Sequence, residues 1–337
     1  MRAGQAGYRE LVDNAAVDEK RLDQPSSGSE NSSEGGDSKW TVIVAVVANG
    51  AIAIAKIIAG LLTGSASMWA EAAHSIADTG NEILLLIGLK RSLREPDSKH
   101  PFGYGQERYF WTFLAALGIF LVGGVLSIGE GVRSILMPEA VESLWIGVGV
   151  LVVAAVFESY SWYTAHKQLR RDAKQQNRTL RHHLRHASDP SATTVFLEDT
   201  AALIGLAIAL AALVLHAGTG WAGWDAIGSM TIGLLLIVVA YLLARRSKGL
   251  LLEESAPDDV LDPIRAKVAA ESWVEKIDDM HAVWVGPSQL LVNLWVTPTR
   301  AVRDSPAGNL VEHASHLRRD LMSDDAVAQV TLTLETP

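Results

Sequence analysis

Four residues between Met68 and Leu89 have types and spacing suited to holding a cation: Glu71, His74, Asp78 and Glu82 in MWAEAAHSIADTGNEILLLIGL. At 3.6 residues per turn they fall within about 80° of one another on a helical wheel. An imidazole and a carboxylate at i and i+4 can approach one divalent ion from a single helix. A second acidic pair, Glu198 and Asp199, follows in SDPSATTVFLEDTAALIGL, past Asp189-Pro190, which suits a helix start. With His74 and Asp78, these carboxylates could complete a four-coordinate nitrogen and oxygen site. Glu198 has a second reading, as a support for a ligand or a salt-bridge partner of Lys56. Adjacent helical residues point about 100° apart, so Glu198 and Asp199 cannot both face one ion without a kink or a long reach. Asp199 is therefore the expected ligand of the two, with Glu198 supporting it, carrying protons or adding an oxygen.

The elements that must position these residues are apolar. Six stretches have roughly the length of a bilayer-crossing helix: 40–62, 68–89, 109–132, 144–165, 192–215 and 225–244. Ionisable groups inside such spans are expensive and signal function, or a polar contact between helices. Lys56, Glu130 and Glu158 are further charges of this kind. Lys56 and Glu158 read as helix-helix partners, and Glu130 as hydrated near the outer boundary. Gly80, Gly88, Gly118, Gly123, Gly124 and Gly205 suit close packing of helices.

Lys and Arg crowd the loops after the second, fourth and sixth spans, and are absent or single in the others. By the positive-inside rule both termini are cytoplasmic. Residues 1–39, with SSGSENSSEGGDS, read as a disordered cytoplasmic tail, and 40–248 as a six-helix transport domain. From 249 to 337 the periodicity changes to helix, two alternating strands, helix and strand. That order predicts a cytoplasmic α+β domain, αββαβ and ferredoxin-like.

Composition narrows the functions. The chain of 337 residues is 49% hydrophobic and 20% charged, which suits a membrane domain joined to a soluble one. A net charge of −9 argues against nucleic acid as a partner. There is no cysteine, so a metal here must take imidazole and oxygen ligands. No HExxH or GxSxG pattern supports an intramembrane metalloenzyme, and the protein is expected not to be an enzyme. A metal-activated enzyme and a metal sensor remain the alternatives to a transporter. Histidines of the loops, in SKHPFGYGQERY and HHLRH (His182, His183, His186), read as solvated or as metal-delivery groups; His281, His313 and His316 read as surface residues.

The segments AEAAHSIADTGNEILLLIGLKRSLREPDSKHPFGYGQERYFW and DPSATTVFLEDTAALIGL resemble the cation diffusion facilitator family, in particular its zinc transporter 9-like branch. The resemblance covers residues 40–337. It implies proton-coupled export of a divalent cation, usually zinc, from the cytoplasm by a homodimer in a lipid bilayer whose cytoplasmic domains pair. A bacterial inner membrane is the expected location. No prosthetic group is implied, the metal being the cargo. The family's membrane site maps onto His74, Asp78 and Asp199. Its fourth ligand position is Val195, which cannot bind metal, so Glu198, water or another helix must supply the remaining oxygen. The family's loop site maps onto Asp97 and His100, with Tyr104 where a second histidine belongs. Its cytoplasmic-domain site keeps at most His281.

The charge-based orientation predicts that single cysteines in 258–334 react with impermeant reagents only from the cytoplasmic side, and those in 218–220 only from outside. One reversed position would overturn it.

Overall fold

The computed structural model describes residues 34–137, 143–175, 179–180, 184, 191–287, 289–324 and 326–335. The chain divides into a unit of residues 1–45 and a unit of residues 46–337. His182, His183 and His186 of HHLRH, and Asp189-Pro190, lie outside the described residues.

Among the described residues, six long helical segments precede the sheet: α1 Glu34–Thr63, α2 Ala66–Ser92, α3 Glu107–Leu136, α4 Leu144–Gln175, α5 Ser191–Thr219 and α6 Gly223–Leu251. Four of them, α3 to α6, are long and apolar enough to cross a membrane by length and composition. Asn49–Thr63 in α1 is a shorter apolar helix. Helix α2 has the length, but Glu71, Asp78 and Glu82 lower its hydropathy, so apolarity alone does not select it. Helix α1 starts at Glu34, ahead of the Trp40 boundary expected from sequence. Gly64 (φ 65°) turns the chain between α1 and α2, and its N–H closes on Gly60 O at 2.9 Å.

Helix α2 packs on α3, α5 and α6. Its first turn is fixed by a carboxylate from α6. Asp225 accepts hydrogen bonds from Ser65 Oγ (2.7 Å), Ser67 Oγ (2.5 Å), the Ser67 N–H (3.2 Å) and the Ala66 N–H. An anion against the free N–H groups of a helix start is favourable both as a cap and toward the helix dipole. Helix α3 contains a π-helical stretch, Ile119–Val125, whose buried Gly123 and Gly124 face α2 and α6. A Cβ on Gly123 would lie 3.8 Å from Ala77 Cβ, so this irregular turn packs beside the His74–Asp78 segment. Of the glycines expected at helix contacts, Gly88, Gly123, Gly124 and Gly205 are at close approaches, whereas Gly80 and Gly118 face open space.

The C-terminal elements are α7 Asp258–Ala270, β1 Val274–Gly286, β2 Gln289–Pro298, the short α8 Arg300–Arg303, α9 Ala307–Leu321 and β3 Val327–Leu334. Apart from α8, this is the αββαβ order expected. The sheet runs β1-β2-β3, with β1–β2 antiparallel and β2–β3 parallel. Alternation along β2 buries Leu290, Val292, Leu294 and Val296 against Leu261, Ile264 and Val268 of α7 and Leu317 and Leu321 of α9. Tyr109 and Leu250, from the ends of α3 and α6, join this same core.

Backbones meet closely where α3 packs on α6: a Cβ on Gly233 would stand 2.8 Å from Gly124 O and 2.9 Å from Ile128 N. Both are backbone atoms and cannot step aside. Gly233→Ala should therefore destabilise by ~1–3 kcal/mol, as overpacking does. Thermal unfolding of purified protein in detergent checks this; an unchanged Tm would contradict the close approach.

Candidate metal centre

The stripe on α2 is buried, and its exposure rises along the helix. Glu71 is 0% and His74 1% exposed, and the Asp78 side chain 14%. The stripe therefore closes toward the Ser65 end of α2 and opens toward the Lys90–Arg91 end. His74 Nε2 lies 3.4 Å from Asp78 Oδ2, and neither ring nitrogen has a hydrogen-bond partner in the protein. Asp78 Oδ1 also lacks one. Ser75 Oγ in the same turn is unpartnered too, and because buried polar atoms are almost always satisfied, four orphans within one turn mark a place where something else binds. Those atoms include a nitrogen donor and a carboxylate, which suit a borderline divalent cation such as zinc.

The other expected residues sit close by but are engaged separately. Glu198, on α5, accepts a hydrogen bond from Asn81 Nδ2 and keeps Oε1 unpartnered. Asp199, half-buried, accepts from Ser161 Oγ of α4 at 2.7 Å. Both interact electrostatically with Asp78. Among the described residues no three His, Asp or Glu side chains converge into one metal-sized cluster. The structure thus brings His74 and Asp78 together and leaves Glu198 and Asp199 each bound to a neutral neighbour. Val195 is half-buried on α5.

The ion pair with Lys56 that stood as one alternative for Glu198 is not formed. Lys56 Nζ instead donates to Glu71 Oε2 at 2.9 Å, with both side chains fully buried. The reason is reach: Glu71 faces α1 directly, while Glu198 is held by Asn81. Glu71 Oε1 points at Gly205 of α5, where a Cβ would lie 2.4 Å away. Glu82 accepts from Asn49 Nδ2 of α1 at 2.5 Å. Glu158 is half-buried on α4 within Coulombic range of Lys56 and Asp199. Sequence reasoning missed Asn49, Asn81 and Ser161. Each is a small polar residue in an apolar span, a signal that becomes readable only when its partner helix is known.

The remaining candidates are explained by local contacts. Glu130 is chelated by Arg133, whose Nε lies 3.0 and 3.1 Å from its two oxygens. Exposed His281 lies 3.1 Å from Asp279, and His313 stacks on Trp273 at 5.9 Å. Among the described residues, neither His281 nor His313 joins a metal-sized cluster of three. In the loop between α2 and α3, Asp97 Oδ1 accepts from the Lys99 (2.9 Å) and His100 (2.8 Å) N–H groups. Its Oδ2 accepts from Tyr104 Oη at 2.7 Å. Arg94 lies over the Tyr104 ring at 4.3 Å. The loop's own donors therefore occupy the carboxylate that the resemblance offers to metal.

With that geometry in place, comparison with known proteins decides the family. Residues 42–252 match the model of the cation efflux transmembrane domain. The chain belongs to the cation diffusion facilitator family. Within it, this family member falls in the zinc transporter 9-like branch. It is 34% identical over 245 residues to the mouse mitochondrial proton-coupled zinc antiporter SLC30A9, covering 73% of this chain and 43% of that protein. It is 34% identical over 218 residues to metal tolerance protein C4 of Arabidopsis thaliana, covering 65% and 48%. It is 25% identical over 306 residues to the metal cation efflux system protein CzcD of Cupriavidus metallidurans, covering 89% and 87%. The chain spans less than half the length of the mouse and Arabidopsis relatives. The family is one of transporters, and its transmembrane domain makes this facilitator a multi-pass membrane protein.

Asp97 carries a test of the loop. The Tyr104 hydroxyl first, then the His100 and Lys99 N–H groups, hold its carboxylate down to about 2. A depressed carboxylate stabilises the fold above its unfolded value, and that contribution is lost as pH falls from about 4 toward 2. Tyr104→Phe should move the Asp97 titration upward toward the ordinary range in a carboxyl NMR experiment. An unmoved midpoint would mean that the tyrosine does not hold the loop.

Proposed function

We propose that this chain is a proton-coupled antiporter that exports a divalent metal cation, zinc first, from the cytoplasm. His74, Asp78 and Asp199 bind the cargo, and Glu198 completes or supports the site. The single observation carrying this reading is the buried His74–Asp78 pair, in which both ring nitrogens and Asp78 Oδ1 lack a hydrogen-bond partner in the protein. The relatives' names, a proton-coupled zinc antiporter and a metal cation efflux protein, support it.

The coupling is chemical. To bind metal, the imidazole must be neutral and the carboxylates ionised, so loading releases protons and protonation releases metal. Asp199 lies on α5 and His74 on α2, so a shift of α5 that frees Asp199 from Ser161 of α4 would gather the ligands. Motion of helices about a fixed site is how many secondary transporters alternate access. Six membrane spans, both termini in the cytoplasm and a ferredoxin-like cytoplasmic domain pairing two copies complete the proposal, in a bacterial inner membrane.

Uptake of zinc into sealed proteoliposomes against a proton gradient tests the function, since a sensor or enzyme would accumulate nothing. Asp78→Ala and Asp199→Ala should each abolish uptake in protein that remains monodisperse; wild-type flux in either would remove that residue from the site. Glu198→Gln distinguishes its two roles. As a support it should weaken binding about tenfold or less, some 1.4 kcal/mol. As a ligand it should lose more and shift the pH dependence.

A further inference from the structure

The Lys56–Glu71 pair is the one full ion pair of the helix bundle in which both side chains are completely buried among the described residues. It lies one turn from His74, on the closed side of the site. Beyond it, toward the start of α2, Ser65, Ala66, Ser67 and Met68 are all buried and Asp225 seals the helix end. A buried ion pair is a poor source of stability: replacing both partners by neutral groups is often neutral or favourable. Its retention here calls for another use.

The details point to keeping one positive charge in place. Glu71 holds Lys56 with one oxygen, and its other oxygen rests in the space left by Gly205. Lys56, on α1, is thereby held fully buried against α2 at Glu71, one turn from His74. Its charge acts on His74 and Asp78. Fixed cations in a narrow path exclude protons and metal ions electrostatically.

We propose that Lys56, held by Glu71, is the outer electrostatic barrier of the ion path. It stops cations at the His74–Asp78 level while the site is open toward the Lys90–Arg91 end. Lys56 would then be a selectivity and positioning residue, not a ligand. Metal release to the far side requires the α1–α2 contact to open, which couples barrier removal to helix movement. The inference rests on the transport reading above.

The test measures metal-independent proton entry into proteoliposomes with a trapped pH dye, beside zinc uptake by the wild type. Lys56→Met/Glu71→Gln removes the barrier without stranding a buried charge. It should raise proton entry about tenfold with no zinc present, whereas Lys56→Arg should leave the barrier intact. A well-folded double variant with wild-type proton entry would overturn the proposal, as would Lys56→Arg leaking like the double variant. Should the double variant fail to assemble, Lys56→Gln/Glu71→Gln, which keeps a hydrogen bond between the helices, decides in the same way. Absence of zinc uptake by the wild type would count against the transport reading itself, separately from the barrier.

Discussion

The free energy needed to keep ionisable side chains out of water governs this molecule. Glu71, His74, Asp78 and Glu82 lie along one helix, and an unpaired buried charge costs several kcal/mol even after relaxation. Each must be paired, hydrogen-bonded or reserved for a ligand. The bundle answers by surrounding α2 with α1, α3, α5 and α6 and assigning partners one by one: Lys56 to Glu71, Asn49 to Glu82, Asn81 to Glu198, Ser161 to Asp199. His74 and Asp78 are left with each other at 3.4 Å.

That division follows depth along α2. At the closed end, charges are paired within the protein, and Asp225 spends all its acceptor capacity on the helix start. In the middle lie the unsatisfied donors of the candidate site. Toward the other end, carboxylates rest on neutral amides and a hydroxyl. The π-helical turn of α3, with its paired glycines, packs closely on Leu236, Ile237 and Gly233 of α6 and lies beside Ala77 of α2. At the other boundary, Tyr109 and Leu250 carry the ends of α3 and α6 into the core of the small α+β domain. Movement of that domain and of the helix ends is thereby linked.

Much of this could be read from the chain before folding. The HxxxD spacing, the apolar spans and the αββαβ periodicity are local patterns, and the helices and strands follow them closely. Partner choice was not local. Glu198 was offered to Lys56 on charge alone, but Asn81 takes it from 117 residues away while Glu71 takes the lysine. Gly80 and Gly118 were offered to helix contacts that face elsewhere, because composition does not fix which face of a helix meets a neighbour. The Asp97 loop was read as a weakened metal site. In the fold its carboxylate is consumed by Tyr104 and two backbone N–H groups, a turn whose closure sequence alone does not display.

The central claim is that the unsatisfied atoms of His74 and Asp78 are there for a divalent cation. Anomalous diffraction at the zinc absorption edge, from crystals grown with zinc, tests it most directly. The account predicts a strong anomalous peak about 2.0–2.2 Å from a ring nitrogen of His74 and an oxygen of Asp78. A strong peak elsewhere in the helix bundle, with His74 and Asp78 still free, would contradict it.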